Sequence, residues 1–179
     1  MRPGLLMAVL ALCAFVVGCS ADVDGSATAT QASAESTFDP CTIPDAAIAA
    51  AGLDPDSKDS MAEGGFVTPG WIICGWNGPA ANSWYSYSVV FSSVYTIEDV
   101  RSDARYSEMT NISVAGREAL RYRHGIVDLS DSCDIAFTTE MGLVKLSTLR
   151  NSSSDLISDM CAINMQHTEK LSSSFPPSR

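Results

Sequence analysis

Basic residues are scarce in this chain of 179 residues: eleven Lys and Arg stand against 21 Asp and Glu, a formal net charge of −10 at pH 7. Nucleic-acid binders need clustered cations that displace counterions from phosphates. The one basic cluster is Arg117, Arg121 and Arg123, so no nucleic-acid partner is expected. Histidine is scarcer still. His124 and His167 have no partner at a ligand spacing such as H-x-x-x-H, and both read as surface or packing residues. No G-x-S-x-G elbow, G-x-x-x-x-G-K-[ST] loop or G-x-G-x-x-G turn occurs, which removes the usual signatures of an activated serine or a phosphate cradle. No two cysteines have zinc-knuckle spacing. Asp54, Asp56 and Asp59 superficially resemble a calcium loop, but Lys58 falls where an oxygen ligand should sit, and Asp128, Asp131 and Asp134 would not converge in an extended loop. No catalytic residues, no metal and no cofactor are expected.

The chain also lacks an apolar run of the ~20 residues needed to cross a bilayer as a helix. Its longest, Leu5 to Val17, has thirteen. With Arg2 before it, that run has the length and charge of a secretory signal's apolar region. It ends in Val16-Val17-Gly18-Cys19, two aliphatic residues, a small residue and a cysteine, which resembles the bacterial lipobox. The expectation is a signal peptide over residues 1–18, cleavage between Gly18 and Cys19, and a diacylglyceryl group on the Cys19 thiol. Each buried CH₂ contributes ~0.8 kcal/mol, so two acyl chains anchor stably where one is marginal. Residues 19–37 comprise the lipidated cysteine and an Ala/Ser/Thr-rich linker whose only aliphatic residue is Val23. Such a segment cannot bury enough apolar surface to order itself, and as a flexible coil it would reach roughly 25 Å. Residues 38–175 are sized for one extracytoplasmic domain, followed by a tail at 176–179.

Once Cys13 leaves with the signal and Cys19 takes lipid, Cys41, Cys74, Cys133 and Cys161 remain. Four cysteines in an exported domain imply two disulfides, with three connectivities open to arithmetic. The favoured pairing is Cys41–Cys74 with Cys133–Cys161, because each bond would tie a helix to the strand it should pack on.

The element pattern is mixed. Phe38 to Leu53 reads as a helix with Thr42 as N-cap and Gly52 as terminator. Asp54 to Gly70 reads as a long loop. Trp71 to Trp76 is a short strand, and Trp84 to Phe91 a second with Tyr85, Tyr87, Val89 and Phe91 on one face. Thr96 with Asp99 caps a short helix. Two hairpins follow, Thr110 to Val114 with Glu118 to Arg123 and Asp134 to Thr139 with Leu143 to Leu149. A last helix spans Asp155 to Leu171, capped by Ser152 to Ser154. The order predicts an α+β domain with an antiparallel sheet of about six strands and helices packed on one face. Aromatics concentrate in one third of the chain. The cluster reads first as a packed core and cross-strand ladder; the alternative is an aromatic-lined groove for a lipid, glycan or protein partner, with Trp71, Trp76 and Trp84 as the candidate binding surface and Trp84 expected to face away from the Tyr85/Tyr87 row.

These features together resemble a family of actinobacterial lipoproteins whose shared four-cysteine domain has no assigned function. The likeness rests on the lipobox, the linker, "FDPCTIPDAAIAAAGL" from Phe38, "CGW" at Cys74 to Trp76, "VAGREA" at Val114 to Ala119 and the two late cysteines. It implies a mycobacterial-type cell envelope. The element order is also similar to Mog1/PsbP-like sandwiches, which is a likeness of fold alone. The reading is of a lipoprotein on the extracytoplasmic face of the cell membrane, joined to it through Cys19. It would be a non-enzymatic binding or accessory domain for an envelope protein, glycan or lipid. The alternatives are a carrier of a hydrophobic molecule held between the sheet and its helices, and an envelope hydrolase with an unrecognised site. Cys19→Ala should move the protein out of the membrane fraction or leave it unprocessed. Unchanged fractionation and unchanged mass would overturn the anchor.

Overall fold

The computed structural model describes residues 37–79, 83–125 and 127–179. The expected signal, the Gly18–Cys19 cleavage site and residues 19–36 of the linker lie outside the described residues. Seven strands, β1 (Asp54–Ser60), β2 (Ile72–Asn77), β3 (Tyr85–Ser92), β4 (Tyr106–Val114), β5 (Arg117–His124), β6 (Ser132–Thr139) and β7 (Gly142–Arg150), form one antiparallel sheet. Three helices accompany it: α1 (Asp45–Ala51), α2 (Ile97–Ser102) and α3 (Met160–Lys170). The spatial order is β1-β2-β3-β7-β6-β5-β4. Two meanders, β1 to β3 and β4 to β7, therefore meet where β3 pairs with β7 in eight-residue register from Tyr85↔Arg150 to Ser92↔Leu143.

The fold is the expected α+β class, with one strand more than expected. The sequence "DPDSKDS" of β1 contains no apolar side chain and hence shows no period-2 pattern. It nevertheless pairs with β2 through a bulge, and as an edge strand it tolerates charge on its outer side. Its Lys58 reaches Asp45 of α1 at 2.9 Å. The first helix is split where one was expected. Pro44 forces Ile43 into extended backbone, so a 3-10 turn at Pro40–Thr42 precedes α1 and Asp39, not Thr42, holds the cap by accepting from Cys41 N. Gly52 ends α1 with φ 90°, as expected. The last helix starts at Met160, capped by Asp159, which accepts from Ala162 N at 2.9 Å. Leu156 and Ile157 before it are exposed.

Period-2 alternation separates two faces. Tyr85, Tyr87, Val89 and Phe91 of β3, Val144 and Leu146 of β7 and Ile135 and Phe137 of β6 form the main core with residues of α1 and α3. The disulfides are Cys41–Cys74 and Cys133–Cys161, the favoured pairing, and each contributes roughly 2–4 kcal/mol. The second clips α3 to β6, and Asn164 of α3 donates its amide N–H groups to Cys133 O at 2.7 Å and Leu146 O at 2.8 Å. Contrary to the one-face expectation, α2 covers the other face, where Val100 joins Leu120, Tyr122, Ala136 and Leu143 in a smaller cluster. Two members of the basic cluster, Arg117 and Arg123, make structural bonds. Arg117 binds Pro176 O at 2.8 Å, holding the C-terminal residues to the body, and Arg123 joins Glu108 to Asp159.

His167 is a packing histidine in the main core. Its Nδ1 lies 3.1 Å from Ala51 O and its Nε2 2.8 Å from the Tyr85 hydroxyl. The carbonyl can only accept, so Nδ1 carries the proton and Nε2 accepts from Tyr85. Burial of this neutral ring pushes its pKa down to about 4. Because the unfolded chain binds this proton near pH 6.5, stability from His167 is complete above that pH and is lost as pH falls towards 4, by about 3 kcal/mol in order of magnitude. Buried Asp134 works in the opposite direction, since its raised pKa relieves a cost on acidification. The test is therefore a comparison. Between pH 7 and pH 4 the wild type should lose more stability in urea unfolding than His167→Gln does, and equal losses would remove His167 from the account.

Candidate functional site

The face beneath α2 is only partly covered, and a cleft of about 640 Å³ opens there. Its floor follows from register. One row crosses the sheet through Gly75, Ser88, Ser147, Asp134 and Tyr122, each paired with the next. The adjacent row runs Ile73, Val90, Lys145, Ala136 and Leu120. The first row is polar and the second is apolar apart from one lysine. The walls come from α2 and from the turns that carry Trp71, Tyr95 and Arg105. Thr96 and Asp99 form the expected capping box, which fixes α2 where it rims the cleft.

The polar end is built around Asp134. Its residue is fully buried, and neither carboxylate oxygen has a well-aligned hydrogen bond. His124 Nε2 lies 3.2 Å from Oδ2. Burial drives the Asp134 pKa upward, against the opposing pull of His124, Ser147 and Lys145. The Tyr122 hydroxyl and His124 Nδ1 are likewise buried without a hydrogen-bond partner. Burial, with the Asp134 charge second, raises the Tyr122 pKa well above its ordinary value. The other end is aromatic. Trp71 stacks on Tyr95 at 4.7 Å and 9°. The Lys145 ammonium donates to the Tyr106 hydroxyl at 3.0 Å and lies 5.0 Å from the Trp71 ring and 5.1 Å from the Tyr106 ring, a cation held by π faces.

Of the three tryptophans expected at a binding surface, only Trp71 lines the cleft. Trp76 and Trp84 are buried in the main core, which corrects that expectation. Trp84 precedes the first residue of β3, so strand alternation does not reach it, and its ring packs edge-on against Tyr85. His124, read from the sequence as surface or packing, sits at the cleft's polar end with its ring edge-on to Tyr106 at 4.8 Å. Asp134, Lys145 and Tyr106 were not singled out as site residues. One signal was available: an acid inside the strand stretch "SCDIAF", whose six side chains are all buried. Asp128 turns onto Ser130 and Asp131 pairs with Arg150 at 2.6 Å, and among the described residues no three His, Cys, Asp or Glu groups converge as metal ligands.

The family model for proteins of unknown function, DUF3558, matches residues 14–173. The chain belongs to the DUF3558 family. No curated protein and no solved structure matches it. Among the described residues of this DUF3558 member, no helix is long and apolar enough to cross a membrane.

The under-partnered carboxylate makes a stability prediction. Asp134→Asn removes a charge that burial disfavours, so at pH 7 the variant should be at least as stable as the wild type, by about 1–2 kcal/mol in order of magnitude. The wild type alone should gain from this residue as pH falls towards its raised pKa. A melting temperature lowered by more than about 5 °C, several times what one weak contact is worth in a domain of this size, would show that Asp134 is a net structural support.

Proposed function

We propose that this DUF3558 protein is a lipid-anchored, extracytoplasmic binding domain that holds a ligand in the cleft under α2 without transforming it. The observation that carries the reading is the polar row ending in buried Asp134 beneath an uncovered part of the sheet. Buried polar groups in folded proteins are normally satisfied. An unsatisfied carboxylate and an imidazole nitrogen on two residues that line one end of a cavity are what a bound molecule would complete. The volume falls within the roughly 300–1,000 Å³ of small-molecule sites. The Val16 to Cys19 lipobox supports placement on the outer face of the cell membrane, and two disulfides suit an oxidising compartment.

A hydrophobic carrier built between the sheet and its helices is less well supported. Under α1 and α3 that space is filled by the main core, and the open space on the other face has a polar floor. Full-length protein purified from its own host in mild detergent tests the proposal by native mass spectrometry. A small-molecule adduct should be present on the wild type, absent from Val90→Trp, which fills the cleft floor, and recovered with its mass unchanged after prolonged incubation. An adduct that persists in Val90→Trp would place the ligand elsewhere, and a shortened ligand would make the protein an enzyme.

A further inference from the structure

The chemistry left free in the cleft narrows the ligand class, on the reading that the cleft is a ligand site. Six ionisable side chains other than tyrosine line it: Asp99, Asp103, Asp134, Arg105, Lys145 and His124. Several are already committed. Asp99 closes the α2 capping box, and Asp103 and Arg105 pair with each other at 2.5 Å. What remains for a ligand is one carboxylate, one ammonium and one imidazole, a mixed set with no excess of either sign. An anion would meet Asp134 and a cation would meet Lys145, so a net charge on the ligand is repelled at one end whatever its sign.

An acyl chain fits no better. It would bring no hydrogen bond to the Asp134 carboxylate or His124 Nδ1, which the chain already leaves buried and unpartnered, a deficit of roughly 1–3 kcal/mol per neutral group and more for a charge. A flat heteroaromatic ring lacks a free stacking platform, because Trp71 is already engaged by Tyr95 and by the Lys145 ammonium, which Tyr106 also holds. Hydroxyl groups answer both of the vacancies that line the cleft, since each can donate and accept. A hydroxyl can donate to Asp134, and others can accept from the remaining Lys145 N–H donors.

We propose that the cleft binds a neutral, multiply hydroxylated molecule of the saccharide class, seated on Asp134, His124 and Lys145, with the Trp71/Tyr95 pair as its apolar wall. Two groups dominate recognition: Asp134 as the acceptor buried in the floor and Lys145 as the donor presented between aromatic rings.

The test presents full-length protein to an array of neutral, amino-substituted, carboxylated and phosphorylated saccharides, then measures the best neutral hit by calorimetry. Neutral saccharides should bind. Asp134→Asn and Lys145→Met should each weaken the hit by about tenfold or more, the loss of one charge-assisted hydrogen bond, while thermal melts confirm that both variants are folded. Trp71 should report binding through its fluorescence, because the other two tryptophans are buried in the main core. Binding confined to charged saccharides, or a neutral hit indifferent to both substitutions, overturns the inference. A blank array beside a mass-spectrometric adduct that Val90→Trp abolishes also overturns it but leaves the cleft as a binding site. A blank array with no adduct overturns both.

Discussion

The attachment of α3 to β6 sets the orientation of the whole sheet. The Cys133–Cys161 bond and the Asn164 amide, which reaches Cys133 O and Leu146 O, fix which side chains of β6 and β7 face the helix. Because successive side chains on a strand point to opposite faces, fixing Cys133 towards α3 sends Asp134 to the other side. A one-residue slip would reverse every residue of the strand, putting a carboxylate into the main core and a sulfur into the cleft. The disulfide is therefore more than a stabilising link in the unfolded-state sense. It selects the register that places the acid under the cleft.

That choice divides the work between the two faces. On the α3 side the large rings and aliphatics are closed over by α1, α3 and the 3-10 turn, and apart from Trp76 Nε1 the buried polar side chains there are satisfied internally. His167 bonds Ala51 O and Tyr85, and Thr168 bonds Asn164 and lies near the Tyr87 hydroxyl. On the other side the cover is a two-turn helix, α2, which lies in the crossover that carries the chain from central β3 to edge β4. A helix of six residues is too short to roof a seven-stranded sheet. Its Val100 closes the apolar patch over Leu120, Ala136 and Leu143, and the polar row beyond it stays open.

Much of this architecture was legible in residue patterns, and the failures have physical causes. Six strands and the α2 cap could be read because each carries an apolar alternation or a Thr-x-x-Asp box. β1 was invisible because an edge strand without an apolar residue buries little and announces nothing. The start of α3 was placed too early because the Ser152 to Ser154 run resembles a cap, whereas the chain is not helical until Asp159 offers its carboxylate to Ala162 N. The aromatic cluster drew attention to Trp71, yet three-dimensional pairing decided its partners. Val90 and Lys145 become neighbours only because β3 pairs with β7 across the intervening strands. No local pattern encodes that long-range contact. Trp84 was misplaced by one residue of strand boundary, which is enough to exchange surface for core.

A purely structural strand would carry something other than an acid at position 134. In "SCDIAF" every side chain is buried, and a β-branched residue at position 134 would suit the pleat and the burial better than an acid. The carboxylate pays no evident structural return: its contact with His124 Nε2 at 3.2 Å is poorly aligned, and neither oxygen is well bonded within the chain. Nor does it stand alone, since Tyr122 opposite it on β5 and His124 beside it are also left without full partners. Isolated polar burial can be tolerated as an accident of packing. Here three incomplete groups lie together on β5 and β6, and two of them, Asp134 and His124, line the cleft, so the bonding that the chain leaves undone is concentrated at the floor of its open face.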